Sequence, residues 1–314
     1  RCAVWDATTG ERVRTFKAHA TPVLYMAVDP TGALLVTASA DRTARVWDVA
    51  KGFCTHAFRG HAAMVTHAAF HPDPRRLELY TGSHDGEIRV WSLRDRACVG
   101  VMHEHTSGIT GLTVPMAAAG GSDVLLSSAR DRVVHQWSLK TKKRVATVPT
   151  HEACEGLVAL DPRAARGLLG ADAADENPDA VYFATAGEKG VVRAWRVGSA
   201  KPVAKSASLR AGQSSAAAHT GQADEEHDDA AAGTFTSLHA TPTGDGLLAV
   251  TGDARLLFYG DDDVETDAPA GAGSIVVKRE LIGNTDEIIS AAFLTTDLGG
   301  GSLGGGGKGG GGGG

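Results

Sequence analysis

Histidine, serine and aspartate, the side chain types of a hydrolytic triad, recur together in the first half of the chain. One group places them in a single stretch with a tryptophan: His61, Ser83, Asp85 and Trp91. In a triad, the histidine activates the serine hydroxyl and the aspartate orients the histidine. The same residue types return in the same order: His19, Ser39, Asp41 and Trp47. One active site needs only one copy, so the repetition favours a structural role.

The spacing of aromatic residues defines an internal repeat. Five tryptophans and one tyrosine take equivalent places: Trp5, Trp47, Trp91, Trp137, Trp195 and Tyr259. An aspartate precedes four of them by the same interval: Asp41, Asp85, Asp131 and Asp253. Between these positions the chain reads as short apolar runs bounded by Gly, Pro, Asp or Ser, which is typical of strands joined by tight turns. Four strands in each unit of this length predict the blades of a β-propeller.

The repeat therefore predicts an all-β fold, an incomplete propeller over residues 1–294 with about five four-stranded blades and parts of two others. The first residues resemble the end of a blade, and residues 286–293 resemble the first strand of another, so we expect the ring not to close within this sequence. Two polar inserts, residues 161–179 and 205–233, are predicted to be disordered surface loops. Residues 295–314 are almost entirely glycine and are predicted to form a low-complexity tail.

The residues that mark each unit resemble those of the WD40 repeat. Gly60-His61, Trp5-Asp6 and Trp47-Asp48 are similar to its Gly-His and Trp-Asp dipeptides. The resemblance implies a hydrogen-bond chain from Trp through Ser or Thr and His to Asp that holds each blade together. Eleven residues are predicted to form it: His19, Ser39, Asp41, Trp47, His61, Ser83, Asp85, Trp91, His105, Asp131 and Trp137. The third unit has Ala129 at the serine position, so we expect its network to be weaker.

Two segments of the second unit resemble one particular group within the WD40 family. His71-Pro72-Asp73-Pro74 and the strand Ile88-Arg89-Val90-Trp91-Ser92-Leu93 are similar to the transducin-β-like, Utp-thirteen-type WD40 proteins of the small-subunit processome. This resemblance implies a non-catalytic nucleolar scaffold that supports processing of pre-rRNA to 18S rRNA. The implied partners are other WD40 and helical subunits of the UTP-B complex, with U three small nucleolar RNA and pre-rRNA contacted indirectly or through their backbones. The alternative is a substrate receptor of a ubiquitin ligase or a signalling adaptor.

Composition and motifs indicate little other chemistry. The net charge of −6 argues against a protein held to nucleic acid by bulk charge. The 13 histidines and 4 cysteines lack the HExxH and CxxC spacings of metal sites, so we expect no metal. Without a Walker or Rossmann glycine pattern we expect no cofactor. The longest apolar runs fall short of the roughly 18 residues that span a membrane, and we expect no membrane contact.

Two surface features remain as candidate binding sites. His84 and Arg130 each precede a repeat aspartate, on the rim where we expect the His-bearing and Asp-bearing loops to emerge, and are the predicted partner contacts. A basic group follows Trp137: Lys140, Lys142, Lys143 and Arg144. This group is interpreted as an ordinary charged hairpin, with contact to RNA phosphate or to an acidic partner as the functional alternative.

Overall fold

The computed structural model describes residues 2–6, 8–116, 123–161, 165, 168–169, 180–206, 208, 233–241, 246–260, 274–275 and 277–281. A first hairpin pairs β1 (Cys2–Trp5) with β2 (Arg12–Phe16). Five four-stranded units follow within the described residues, and we number them blades 1 to 5. The predicted all-β propeller is therefore confirmed.

Each blade is built from strands that are consecutive in the chain. Blade 1 contains β3 (Val23–Val28), β4 (Leu34–Ser39), β5 (Thr43–Asp48) and β6 (Cys54–Arg59). Blade 2 contains β7 (Val65–Phe70), β8 (Glu78–Ser83), β9 (Glu87–Ser92) and β10 (Ala97–His103). Blade 3 contains β11 (Ile109–Thr113), β12 (Val124–Ala129), β13 (Val133–Ser138) and β14 (Lys143–Pro149).

The last two blades depart slightly from this pattern. Blade 4 contains β15 (Cys154–Leu160), β16 (Tyr182–Gly187), β17 (Arg193–Arg196) and β18 (Pro202–Ser206). Blade 5 contains β19 (Phe235–Ala240), β20 (Gly246–Thr251), β21 (Leu256–Gly260) and β23 (Val277–Leu281). The short β22 (Ser274–Ile275) pairs in parallel with β18, so the connection within blade 5 adds a fifth strand to blade 4.

A β-bulge recurs at the same place in the first strand of every blade. The register against the second strand shifts between Val23 and Tyr25 in blade 1 and between Val65 and His67 in blade 2. Equivalent shifts occur in the first strands of blades 3, 4 and 5. A bulge bends the strand and increases its twist. Its repetition gives the first strand of every blade the same bend.

Successive blades share their hydrophobic cores. The first strands lie side by side in the order β3, β7, β11, β15 and β19. Between blades 1 and 2, for example, Val46 of β5 packs in one cluster with Ala68 of β7 and Leu79 of β8. Burying a large apolar side chain contributes about 1.5–3 kcal/mol. Each of these shared cores therefore stabilises the two blades that form it.

The first strand of blade 1 is an exception because one of its faces is exposed. Its outward residues Leu24, Met26 and Val28 are 43%, 55% and 57% exposed. Ala68 and Leu112 are the residues equivalent to Met26 in the first strands of blades 2 and 3. They are only 1% and 5% exposed because a preceding blade covers them. The first hairpin supplies only two strands before β3, so among the described residues this face lies largely uncovered.

Part of the first insert contradicts the prediction of disorder. Ala165, Leu168 and Leu169 are helical and buried, and they belong to the core cluster of blades 4 and 5. Their apolar side chains fill space beside β15, which the polar composition of the insert concealed. Most of both inserts, the strand predicted at 286–293 and the predicted tail at 295–314 lie outside the described residues. Among the residues with described structure, no helix has the length and apolar character needed to cross a bilayer.

Candidate functional site

Four side chains form a continuous hydrogen-bond chain inside blade 2. The indole nitrogen of Trp91 donates to Thr81 Oγ1 at 2.8 Å, and Thr81 Oγ1 lies 2.8 Å from His61 Nε2. His61 Nδ1 lies 3.1 Å from Asp85 Oδ2, which also accepts the backbone N–H of Ala62 at 2.8 Å. The chain therefore links β9, β8, the loop entering β7 and the turn after β8.

Blade 1 repeats this arrangement. Trp47 Nε1 donates to Thr37 Oγ1 at 3.0 Å, and Thr37 Oγ1 lies 2.8 Å from His19 Nε2. His19 Nδ1 lies 2.8 Å from Asp41 Oδ2. Asp41 also accepts the N–H and hydroxyl of Thr43, which fixes the turn between β4 and β5.

Blade 3 has the same network with a serine at its centre. Trp137 Nε1 donates to Ser127 Oγ at 2.8 Å, and Ser127 Oγ lies 2.8 Å from His105 Nε2. His105 Nδ1 lies 2.8 Å from Asp131 Oδ2. The expectation of a weaker network at this position was wrong, because Ala129 is not the network position.

The prediction that Ser39 and Ser83 supply the network hydroxyls of blades 1 and 2 was also wrong. Strand β4 pairs Leu35 with Trp47, so Thr37 lies two residues from the tryptophan's partner and Ser39 lies four residues away. The two residues of strand from Thr37 to Ser39 add about 6.6 Å, which puts the Ser39 hydroxyl beyond the reach of the indole. Ser39 instead donates to the carbonyl of Pro22 at 2.8 Å. In blade 2, Ser83 Oγ accepts the amide of Asp85 at 3.2 Å.

The sequence carried a signal for the correct hydroxyls. A threonine or serine precedes the tryptophan by the same interval of 10 residues in four blades: Thr37, Thr81, Ser127 and Thr185. The spacing of the aspartates predicted the neighbouring serines instead. The network hydroxyl is therefore the one that lies 10 residues before the tryptophan.

The electrostatics of the network fix the direction of its hydrogen bonds. Burial acts to raise the pKa of Asp85, but hydrogen bonding from the Glu87 amide and the proximity of His61 hold that pKa below its ordinary value. Burial also lowers the pKa of His61, and Asp85 offsets only part of this effect. A neutral His61 that donates from Nδ1 to Asp85 accepts at Nε2. Thr81 therefore donates its hydroxyl hydrogen to His61 and accepts from Trp91.

The same geometry resembles a catalytic triad, since the aspartate, histidine and hydroxyl are in the order that activates a nucleophile. However, Thr37, Thr81 and Ser127 are each 0% exposed. Each oxygen also accepts the hydrogen of an indole. A substrate carbonyl cannot approach an oxygen that is enclosed in this way. The geometry therefore supports a structural function.

Blade 4 has an ion pair in place of the histidine and aspartate. Trp195 Nε1 still donates to Thr185 Oγ1 at 2.8 Å, but Lys189 takes the place of the aspartate. The carboxylate of Glu152, which is buried, accepts the backbone N–H of Lys189 at 2.8 Å and pairs with the guanidinium of Arg193. The acid thus comes from the loop before β15 rather than from the turn after β16. The residue spacing did not identify Glu152.

Two groups within the described residues have side chain types that bind metals. His105, Asp131 and His135 form one group, and His61, Asp85 and Glu87 form the other. Both ring nitrogens of His105 already have partners in the network, as do both of His61. A metal ion would have to displace those hydrogen bonds. These groups are therefore better explained by the network than by metal binding.

The predicted rim contacts lie at the seams between blades and do not form one site. His84 is exposed, and its ring lies beside the backbone of Gly108 in the loop that enters blade 3. Arg130 is exposed, and its Nε lies 3.0 Å from Glu155 Oε1 on β15 of blade 4. The structure thus gives Arg130 a partner within the chain. Their role in binding another molecule stays a prediction.

The basic group after Trp137 is partly paired within the chain. Lys140 Nζ lies 2.7 Å from Asp123 Oδ2, and Arg144 NH1 lies 2.8 Å from Glu104 Oε2. The amine of Lys142 donates to the carbonyl of Val99 on β10. The group therefore extends over the seam between blades 2 and 3.

Sequence comparison matches the family described as WD domain, G-beta repeat at residues 10–48 and 52–92. Transducin beta-like protein 3 of Bos taurus is 35% identical over 293 residues, 93% of this chain and 32% of that protein. The protein of the same name from Mus musculus is 33% identical over 293 residues, with the same two coverages. The chain thus spans about a third of the length of these curated relatives.

Solved structures share the fold at much lower sequence identity. The structure of U3-55K superposes with a TM-score of 0.67 at 15% identity, covering 88% of this chain and 74% of that chain. The superposition supports the propeller architecture.

Proposed function

We propose that the chain is a WD40-repeat protein that acts as a non-catalytic scaffold in ribosome biogenesis, within the small-subunit processome. The observation that carries this proposal is the 35% identity to Transducin beta-like protein 3 over 93% of the chain. The segments of blade 2 that resemble the processome WD40 proteins lie within that alignment.

The geometry of one of these segments supports a binding role. His71 Nδ1 accepts the amide of Asp73 at 2.9 Å, and Asp73 pairs with Arg75 at 2.9 Å. Arg76 reaches the neighbouring blade and pairs with Asp123 at 2.9 Å. The turn is thus held in one conformation and tied to blade 3. A surface that is already ordered loses little entropy when it binds a partner.

The proposal includes the partners that the resemblance implies. Other WD40 and helical subunits of the UTP-B complex would bind the rims of the blades. The U three small nucleolar RNA and pre-rRNA would be bound through those subunits or through their own phosphates, in the nucleolus. Several such contacts on one rigid body raise the total affinity without any catalytic chemistry.

Affinity purification of the full-length protein tests this proposal. We expect UTP-B subunits, pre-rRNA and U three small nucleolar RNA to co-purify, and we expect the protein subunits to remain after RNase treatment. Depletion of the protein should reduce 18S rRNA relative to the large-subunit rRNA, which northern blotting measures. Recovery of ubiquitin-ligase or signalling proteins without pre-rRNA would favour the alternative function and overturn this one.

A further inference from the structure

The turns between the third and fourth strands differ sharply in charge from blade to blade. Blade 2 has Arg94 and Arg96 in this turn, and blade 3 has Lys140 and Lys142, followed by Lys143 at the start of β14. We call these five residues the basic turn surface. The same turn has one cation in blade 1, Lys51, and one in blade 4, Lys201. In the first hairpin the described residues of this turn include Asp6 and Glu11 and no cation.

The two basic turns belong to neighbouring blades and are physically connected. The stem of Lys142 lies over Gly100, and its amine binds the carbonyl of Val99 on the outer strand of blade 2. Arg76 of blade 2 and Lys140 of blade 3 both pair with Asp123. The cations of the two turns therefore form one surface across the seam.

Most of this charge is available to a partner. Arg94, Arg96, Lys140 and Lys143 are all exposed. Of the acids in this region, Asp123 pairs with Lys140 and Arg76, while Asp95 accepts the hydroxyl of Ser92 at 2.8 Å and keeps its negative charge. In a chain with a net charge of −6, this surface is a local reversal of sign.

The composition of the turns favours phosphate over a protein surface. The apolar residues of the two turns, Leu93 and Leu139, are both buried, and the exposed Val99 and Val145 lie on the outer strands rather than in the turns. Protein interfaces usually centre on buried apolar or aromatic residues. Contacts with nucleic-acid phosphates need only cations and hydrogen-bond donors.

We propose that the basic turn surface of blades 2 and 3 binds the phosphate backbone of RNA without reading its sequence. The inference rests on the proposed function and deepens it, because it gives the scaffold a direct contact with RNA. Sites of this kind contribute affinity that falls steeply with salt. They position an RNA strand rather than select it.

Fluorescence anisotropy with a labelled oligouridylate, in a potassium chloride series, tests the proposal on the purified chain. The variant Arg94→Ala/Arg96→Ala/Lys142→Ala/Lys143→Ala should bind at least about tenfold more weakly. The slope of log affinity against log salt should decrease by about 0.7 for each phosphate that the variant no longer neutralises. Thr141→Glu, which places a negative charge in the middle of the blade 3 turn, should weaken binding as well.

The matched control removes cations from the same turn of the flanking blades. Lys51→Ala/Lys201→Ala should leave both the affinity and the salt slope unchanged. Thermal melting checks that each variant remains folded. If the wild-type chain does not bind the oligouridylate, if the four-site variant binds as well as the wild type, or if the control variant loses as much affinity, the proposal is wrong.

A second measurement separates this proposal from the proposed function. The four-site variant, in the full-length protein, should still recover UTP-B proteins from RNase-treated extract. If it binds oligouridylate normally but loses a protein subunit, the surface recognises an acidic protein and the RNA assignment is overturned. If the unmutated protein recovers neither UTP-B subunits nor pre-rRNA, the proposed function fails whatever the oligouridylate result.

Discussion

The hydroxyl of Thr81 satisfies two buried groups at once. It accepts the indole hydrogen of Trp91 and bonds to His61 Nε2, each at 2.8 Å. A buried polar group without a partner costs about 1–3 kcal/mol. Removing this oxygen therefore removes a partner from both the tryptophan and the histidine. The other end of the network, Asp85, would no longer be joined to the strand that carries Trp91.

The substitution Thr81→Val should lower the free energy of unfolding by about 2–4 kcal/mol, because two buried groups lose their partner while the volume is kept. Urea denaturation followed by tryptophan fluorescence measures this change. The matched control is Ser83→Ala, which removes the predicted but incorrect hydroxyl and should cost about 1 kcal/mol or less. Equal losses in the two variants would contradict the assignment of Thr81.

His67 should make the fold sensitive to acid. Its ring packs against Tyr25 with centroids 4.6 Å apart, and burial lowers its pKa to about 4. Because the pKa is lower in the folded state than the ordinary 6.5, the unfolded chain binds the proton more tightly. This stability is therefore fully present above the ordinary value and is lost as the pH falls from 6.5 toward 4.

The variant His67→Phe keeps a ring against Tyr25 and removes the titrating group. Its melting temperature should fall less than that of the wild type when the pH is lowered from 6.5 to about 4. Over this range the wild type should lose on the order of 3 kcal/mol more unfolding free energy than the variant. Differential scanning calorimetry at several pH values measures it. His84→Gln, at an exposed histidine, should retain the wild-type acid sensitivity. Identical pH profiles for all three proteins would refute the role of His67.

The turns between the second and third strands share a left-handed residue. Its φ is positive in every blade: Arg42 (67°), Gly86 (79°), Arg132 (67°), Gly190 (65°) and Ala254 (64°). Glycine adopts this conformation without steric cost, whereas other L residues lose about 1–2 kcal/mol. Three of the five blades therefore hold a residue with a Cβ in a conformation that disfavours it.

The substitution Arg42→Gly should raise the free energy of unfolding by about 1 kcal/mol, because it relieves the conformational cost at this turn position. Arg42→Ala is the control, since it removes the same charge but retains the Cβ, and it should give no gain. Gly86→Ala should be destabilising, because a Cβ there would lie 2.9 Å from the carbonyl oxygen of His105. Melting temperatures measure all three, and a stabilised Arg42→Ala would show that charge rather than conformation matters.

The fourth blade shows how far one of these elements tolerates change. Its buried Glu152 accepts the amide of Lys189, the position equivalent to Asp85, whose amide is accepted by Ser83 in blade 2. The backbone N–H of this turn needs an acceptor whether the acid comes from the turn or from the facing loop. The turn therefore keeps an acceptor for this amide although the residue that supplies it changes.

At the scale of the whole molecule, the exposed face of β3 is the largest apolar stripe on a single strand among the described residues. Met26 and Val28 are 55% and 57% exposed, side by side with Leu24 on one strand. Apolar stripes beside strand edges promote association between chains. We expect the chain to self-associate through this face at high concentration, which sedimentation velocity would detect.

The variant Met26→Lys/Val28→Lys should shift this equilibrium toward the monomer, because two charges would have to be buried in the contact. Val13→Lys is the matched control, since Val13 is 64% exposed on β2 but lies on a different strand. It should leave the distribution of species unchanged. Persistent association in the double variant, or loss of association in the control, would exclude β3 as the contact.

The propeller fold could be predicted from residue spacing alone, because the repeat of Trp, His and Asp at similar intervals can be read without coordinates. The same spacing placed His61, Asp85 and Trp91 in one unit, since each sits at a fixed distance from a strand end. These features are local, and they depend on the number of residues between turns. The resemblance to processome WD40 proteins likewise rests on short contiguous segments such as His71-Pro72-Asp73-Pro74.

The groups that meet across strands and between blades could be identified only from the folded chain. Thr81 rather than Ser83 contacts Trp91, because the register of β8 against β9 sets the distance to the indole. Glu152 reaches Lys189 because β15 and β16 are neighbours, although 37 residues separate the two positions. Two basic turns become one surface only because blades 2 and 3 are packed together. Residue spacing encodes the repeat, whereas register and packing determine the contacts.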